Sequence, residues 1–135
     1  MGKQGGLLGI LGGAVILGSC QSRPVEISQS VQRLTLRGRA GGPVESGVCG
    51  YLARHPHHQL HLPQAMDYLK IQVNSPSPVT VFVQGPDGAF CATPIGDRPP
   101  QISGYWPAGM YRVFVGTPTH ESSPPYELVI QGPSP

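Results

Sequence analysis

Charge is scarce in this sequence: Asp, Glu, Lys and Arg together make up 12% of 135 residues, and the formal net charge is +2. A balance that small leaves no electrostatic footprint for a polyanion, and no basic stripe interleaves with aromatic residues. Nucleic acid is excluded as a partner. Carboxylates are rarer still, with aspartate only at Asp67, Asp87 and Asp97. Two of these lie in turn sequences, where a short acidic side chain caps the backbone. Gly-x-Ser-x-Gly, His-Glu-x-x-His and a Walker loop are all missing. Scattered Ser, His and Asp residues make no triad, so the chain reads as a non-enzyme. Helical periodicity is absent as well: Pro63-Gln64-Ala65-Met66 is at most one turn. No apolar run reaches the ~20 residues that a membrane-spanning helix needs.

What the chain has in quantity is turn chemistry, with 19 Gly and 16 Pro. These residues sit between β-branched runs and not in blocks, the pattern of short strands joined by tight turns. Asp67 to Phe90 shows it best, reading DYLKIQVNSPSPVTVFVQGPDGAF. Leu69, Ile71 and Val73 recur with period two, and so do Val79, Val81 and Val83, which predicts two antiparallel strands paired side by side. The same alternation predicts strands near 47–53, 58–62, 67–73, 79–84, 89–92, 101–104, 110–116 and 126–131, with 31–37 as a first strand or an extended tether. A spacing of about ten residues between turns is the sequence sign of an all-β antiparallel sandwich or barrel.

Several segments follow one another in a familiar order: Cys49-Gly-Tyr-Leu52, Leu60-His-Leu62, Asp67-Tyr-Leu-Lys-Ile71, Gly85-Pro-Asp-Gly88 and Cys91. Ile102-Ser-Gly-Tyr-Trp106, Pro107-Ala-Gly-Met-Tyr-Arg-Val-Phe-Val-Gly116 and Pro125-Tyr-Glu-Leu-Val-Ile130 complete the order. From about Gly42 to Gly132 this is similar to the bacterial pre-peptidase C-terminal domain, above all to short secreted, stand-alone versions common in cyanobacteria. The resemblance implies a jelly-roll-like β-sandwich of about eight or nine short strands and a non-catalytic accessory role. Members of that family often carry acidic residues after the second Cys. Here that place reads Cys91-Ala92-Thr93-Pro94 with only Asp97 nearby, too few oxygens for calcium.

The N-terminus carries an address. One Lys3, an uncharged apolar run and small residues at Gly18-Ser19 have the layout of a secretory leader. Leu17-Gly18-Ser19-Cys20 resembles the lipobox of bacterial lipoproteins, which implies cleavage before Cys20, a diacylglycerol on its sulfur and a further acyl group on its amine. Two or more chains anchor stably where one does not. Gln21, where an Asp would favour retention at the inner membrane, points to the outer one; plain secretion is the alternative. The expected layout is a leader over 1–19, a tether over 20–43 with a possible first strand, the sandwich over 44–132 and a tail over 133–135. Arg23, Arg33, Arg37 and Arg39 in the tether are read as solvated charges, with lipid headgroups as the alternative. With Cys20 acylated, Cys49 and Cys91 remain as an even pair in an exported chain, which reads as a disulfide.

Two further clusters offer candidate sites. His55, His57, His58 and His61 fall within seven residues. Imidazoles two residues apart on an exposed strand take Zn²⁺ or Cu²⁺ when a third ligand is present. His55, His57 and His61 are the candidates, and an inert polar strand edge is the alternative. Tyr105 and Trp106, with Tyr111 and Tyr126, offer a stacking surface for a sugar or peptide, against packing at the core rim. The sequence therefore points to a non-catalytic binding or structural module at the cell envelope, held to the membrane by lipid and meeting an envelope protein or glycan. A metal-binding envelope protein and a carbohydrate or peptide adhesion module are the alternatives.

Overall fold

The computed structural model describes residues 23–133. The expected leader over 1–19 and Cys20, the expected site of lipidation, lie outside the described residues. Among the described residues eleven strands form: β1 (Val25–Glu26), β2 (Arg33–Arg39), β3 (Val44–Glu45), β4 (Tyr51–Leu52), β5 (His58–Leu62), β6 (Met66–Asn74), β7 (Thr80–Gly85), β8 (Gly88–Ala92), β9 (Gln101–Trp106), β10 (Gly109–Gly116) and β11 (Pro125–Gln131). They build a four-stranded sheet in the order β9-β6-β11-β2, a five-stranded sheet in the order β1-β5-β10-β7-β8, and a β3-β4 ribbon. All pairings are antiparallel except that of β1 with β5. The fold is all-β, and no helix of the described residues is long and apolar enough to cross a membrane.

The strands over 67–73 and 79–83 are present, but they do not pair with each other. β6 belongs to the four-stranded sheet and β7 to the five-stranded one. Leu69, Ile71 and Val73 and Val79, Val81 and Val83 are all buried in one core cluster. The two strands thus contribute opposite layers of a sandwich. The connecting Ser75-Pro-Ser-Pro-Val79 explains the difference. A tight hairpin needs positive φ at its centre, which Pro cannot adopt, and five residues are enough to cross the ~10 Å between packed sheets. Leu128 and Ile130 face inward beside them through the pairings Leu128↔Val73 and Ile130↔Ile71.

Where the sequence predicts 31–37 as a first strand or tether, the strand β2 over 33–39 is a full member of the sandwich, pairing along β11 from Arg33↔Gln131 to Arg39↔Pro125. Leu34 and Leu36 pack against the core while Arg33, Arg37 and Arg39 are exposed. Just beyond β2, the β3-β4 ribbon is tied down by the disulfide Cys49–Cys91, whose Cα atoms are 5.8 Å apart. The Thr80 hydroxyl donates to the Cys49 carbonyl at 2.7 Å, so the covalent tie is backed by a buried hydrogen bond.

An aromatic cleft as candidate functional site

The β7-β8 hairpin turns at Pro86-Asp87, with Gly85 opposite Gly88. Gly85 is required by packing: the Tyr111 ring lies against its α-carbon, where a Cβ would collide. Tyr111 in turn donates its hydroxyl hydrogen to the Pro107 carbonyl at 2.6 Å. Burial, with Asp87 and Tyr105 nearby, pushes its pKa up to about 12. Trp106 packs on Tyr111 with ring centroids 5.0 Å apart. Its indole N–H donates to the Leu69 carbonyl at 3.0 Å, and the residue is only 4% exposed. Trp106 is therefore a wall and not a platform.

Two other rings are open to solvent. Phe90 lies opposite Val83, a core residue, but β8 is the outermost strand of its sheet and the ring is left half-exposed. Tyr105 lies on β9, the outermost strand of the other sheet. A bulge places two residues of β6, Asp67 and Tyr68, opposite Tyr105, as the pairings Gly104↔Leu69 and Trp106↔Met66 require. Phe90 is 53% and Tyr105 63% exposed. Together Asp87, Phe90, Ile102, Tyr105, Trp106 and Tyr111 line a cleft of about 290 Å³ at the mouth of the sandwich. It is mostly apolar with one carboxylate at its rim, the composition of a small ligand site. A larger groove of about 390 Å³ lies between 73–79 and 94–100 and holds prolines but no aromatic ring.

The histidines take other positions. His57 Nδ1 accepts the Val115 N–H at 3.1 Å, and His58 Nε2 lies 2.7 Å from the Tyr126 hydroxyl. Both rings meet Tyr126 edge-on at 5.9 Å. Burial lowers the pKa of His57, a hydrogen bond to the Arg39 backbone acting the other way. Burial, and then His57, lowers that of His58 to about 4. His55 is exposed, and His61 pairs across to Met110. Among the described residues no group of three His, Cys, Asp or Glu side chains comes together to hold a metal. The expected set of His55, His57 and His61 is not brought together among the described residues, and Nδ1 of His57 is taken by the Val115 N–H.

No family model matches the chain. An uncharacterized protein of Synechococcus elongatus is 37% identical over 116 residues, spanning 83% of this chain and 84% of the relative. The chain belongs to that protein's family. Among solved structures, the pre-peptidase C-terminal domain of a collagenase from Bacillus anthracis matches with a TM-score of 0.55 at 14% identity. The match covers 82% of this chain and 97% of that domain. That likeness shows the fold, the β-sandwich that the order of motifs led us to expect. Of the expected stacking residues, Tyr105, Trp106 and Tyr111 meet at the cleft while Tyr126 lies against His57 and His58; Phe90 and Asp87 come to the site through the edge position of β8 and the hairpin turn.

Proposed function

We propose that this family member is an exported, lipid-anchored, non-catalytic β-sandwich that works as a binding module at the bacterial cell envelope. The aromatic cleft between β8 and β9 is its ligand surface. The observation that carries this reading is the pair of exposed rings, Phe90 and Tyr105, gathered from the edges of two different sheets around one cavity. A fold without function would bury such rings or replace them with polar residues, since large apolar groups at an open mouth invite association. Export and anchoring rest on the leader, on the Leu17-to-Cys20 motif and on a disulfide of the kind that persists in oxidising compartments. A lipid at Cys20 puts the sandwich near the membrane surface on the tether that precedes β1.

The address is tested by the intact mass of the protein extracted in detergent from native membranes, before and after reduction. The expected species starts at Cys20, is heavier by two or three acyl groups, and gains two protons on reduction. An unmodified chain, or one with its leader attached, overturns the anchor. The ligand surface is tested separately by Phe90→Ala with Tyr105→Ala, which removes ligand binding and leaves the fold intact.

A further inference from the structure

The two edges of each sheet are protected very differently. On one side of the sandwich the edge strand β2 carries three exposed arginines, Arg33, Arg37 and Arg39, and β1 is two residues long and preceded by Pro24. Charged side chains, short strands and nearby prolines are the usual devices that stop an edge from pairing with another chain. On the other side β8 reads Gly-Ala-Phe-Cys-Ala and β9 reads Gln-Ile-Ser-Gly-Tyr-Trp, with no charge and no proline in either. Among the described residues, no backbone group of Gln101–Tyr105 is bonded outside its pairing with β6. An edge free of charge and proline, regular from Gln101 to Gly104 before the bulge at Tyr105 and lying beside an aromatic cleft, is a template for one more strand.

The charge of the cleft says what kind of strand. Asp87 is the only charged residue among its lining groups, and no Lys or Arg reaches it. Among the described residues the ion pairs are Arg37–Glu127 and His120–Glu121, so Asp87 has no internal partner. A carboxylate beside exposed aromatic faces suits an organic cation, which gains both the charge and the ring quadrupoles. A neutral sugar would use the rings and leave the carboxylate without a counter-charge.

We propose that the free edge of β9 takes an extended peptide segment of a partner protein as an added strand, with a lysine or arginine side chain seated in the aromatic cleft against Asp87. The inference rests on the cleft's being the ligand surface of a binding module. Main-chain hydrogen bonds to β9 supply affinity without sequence preference, and the cleft supplies the selection for a cation.

The test is a titration of the isotopically labelled mature protein with two hexapeptide mixtures, one with a fixed central arginine and one with a fixed central glutamate. Amide resonances report the site. Saturable shifts at Gln101–Tyr105 are expected with the arginine mixture, with affinity at least about tenfold above the glutamate mixture. Asp87→Asn, which keeps a good turn residue, brings the two mixtures level. Ser103→Lys charges the edge and abolishes both, with an unchanged melting temperature showing that the fold persists. The proposal is overturned by equal affinity for the two mixtures, by shifts that map to Arg33–Arg39, by no shift with any peptide, or by self-association through β9 seen in sedimentation. Oligosaccharides titrated in parallel separate the two levels of the argument. Saccharide shifts at Tyr105 without peptide shifts end the strand proposal and leave the binding module standing. A cleft silent to both classes ends both.

Discussion

Acid weakens this sandwich through two imidazoles that tie its sheets together. His57, on the five-stranded side, accepts the Val115 N–H at 3.1 Å and bonds to the backbone of Arg39 on the other sheet. His58 reaches across to Tyr126 on β11 at 2.7 Å. Only a neutral His57 has a lone pair on Nδ1 for Val115, and charging either ring costs desolvation. Both pKa values are lowered by burial, that of His58 from 6.5 to about 4. Between those limits the unfolded chain binds more protons than the folded one, so stability is full above about pH 6.5 and falls as the pH drops towards about 4. At ~1.4 kcal/mol per pH unit the fully buried case would be about 3 kcal/mol. Solvent screening of a ring that is partly exposed reduces this to about 1–2 kcal/mol. The groups facing the pair are Tyr126 on β11, whose hydroxyl stays protonated because burial raises its pKa, and the neutral backbone of β2 and β10. Urea denaturation from pH 7.5 to 4.5, on wild type and on His57→Gln with His58→Gln, checks this. The wild type should lose about 1–2 kcal/mol more than the variant across that range, seen as a larger fall in midpoint. Parallel curves would rule out His57 and His58 as the source of the acid sensitivity.

Three further outcomes follow from the packing. Cys49→Ser with Cys91→Ser opens a loop whose ends are 42 residues apart. Chain entropy puts the loss near ~4 kcal/mol, measurable by denaturant titration with and without reductant. Gly85→Ala drives a methyl into the Tyr111 ring. It should cost about 1–3 kcal/mol and shift the Trp106 emission, because Trp106 packs on Tyr111. Tyr105→Ala removes an exposed side chain, so the melting temperature should hold to within what ~0.5 kcal/mol allows while ligand binding at the cleft is lost.

Much of the fold is legible in the chain because period-two alternation reports which residues face the core. Leu60 and Leu62, Leu69, Ile71 and Val73, and Leu128 with Ile130 are all inside, as their spacing predicts. Alternation does not report which strand is the neighbour, and so 67–73 and 79–83 read as a hairpin when they belong to opposite sheets. The same gap hides the cleft. Phe90 alternates as a core residue and pairs with Val83, and only its place on the outermost strand exposes it. His57 reads as a free ligand because sequence shows the side chain and not the Val115 N–H that occupies it. β2 is faint because two leucines among four polar or charged residues and a glycine give a short signal, completed only by its full register along β11.

On the proposed function, the β8-β9 mouth and not the arginine-bearing edge meets the partner. A photoreactive benzophenone side chain placed at position 105, and in a second strain at position 33, tests it in living cells. Benzophenone inserts into C–H bonds of peptide and glycan alike, so either ligand class leaves a product. The expected result is discrete crosslinked species from position 105 and none from position 33. Crosslinks from position 33 alone, or the same pattern from both, would contradict it.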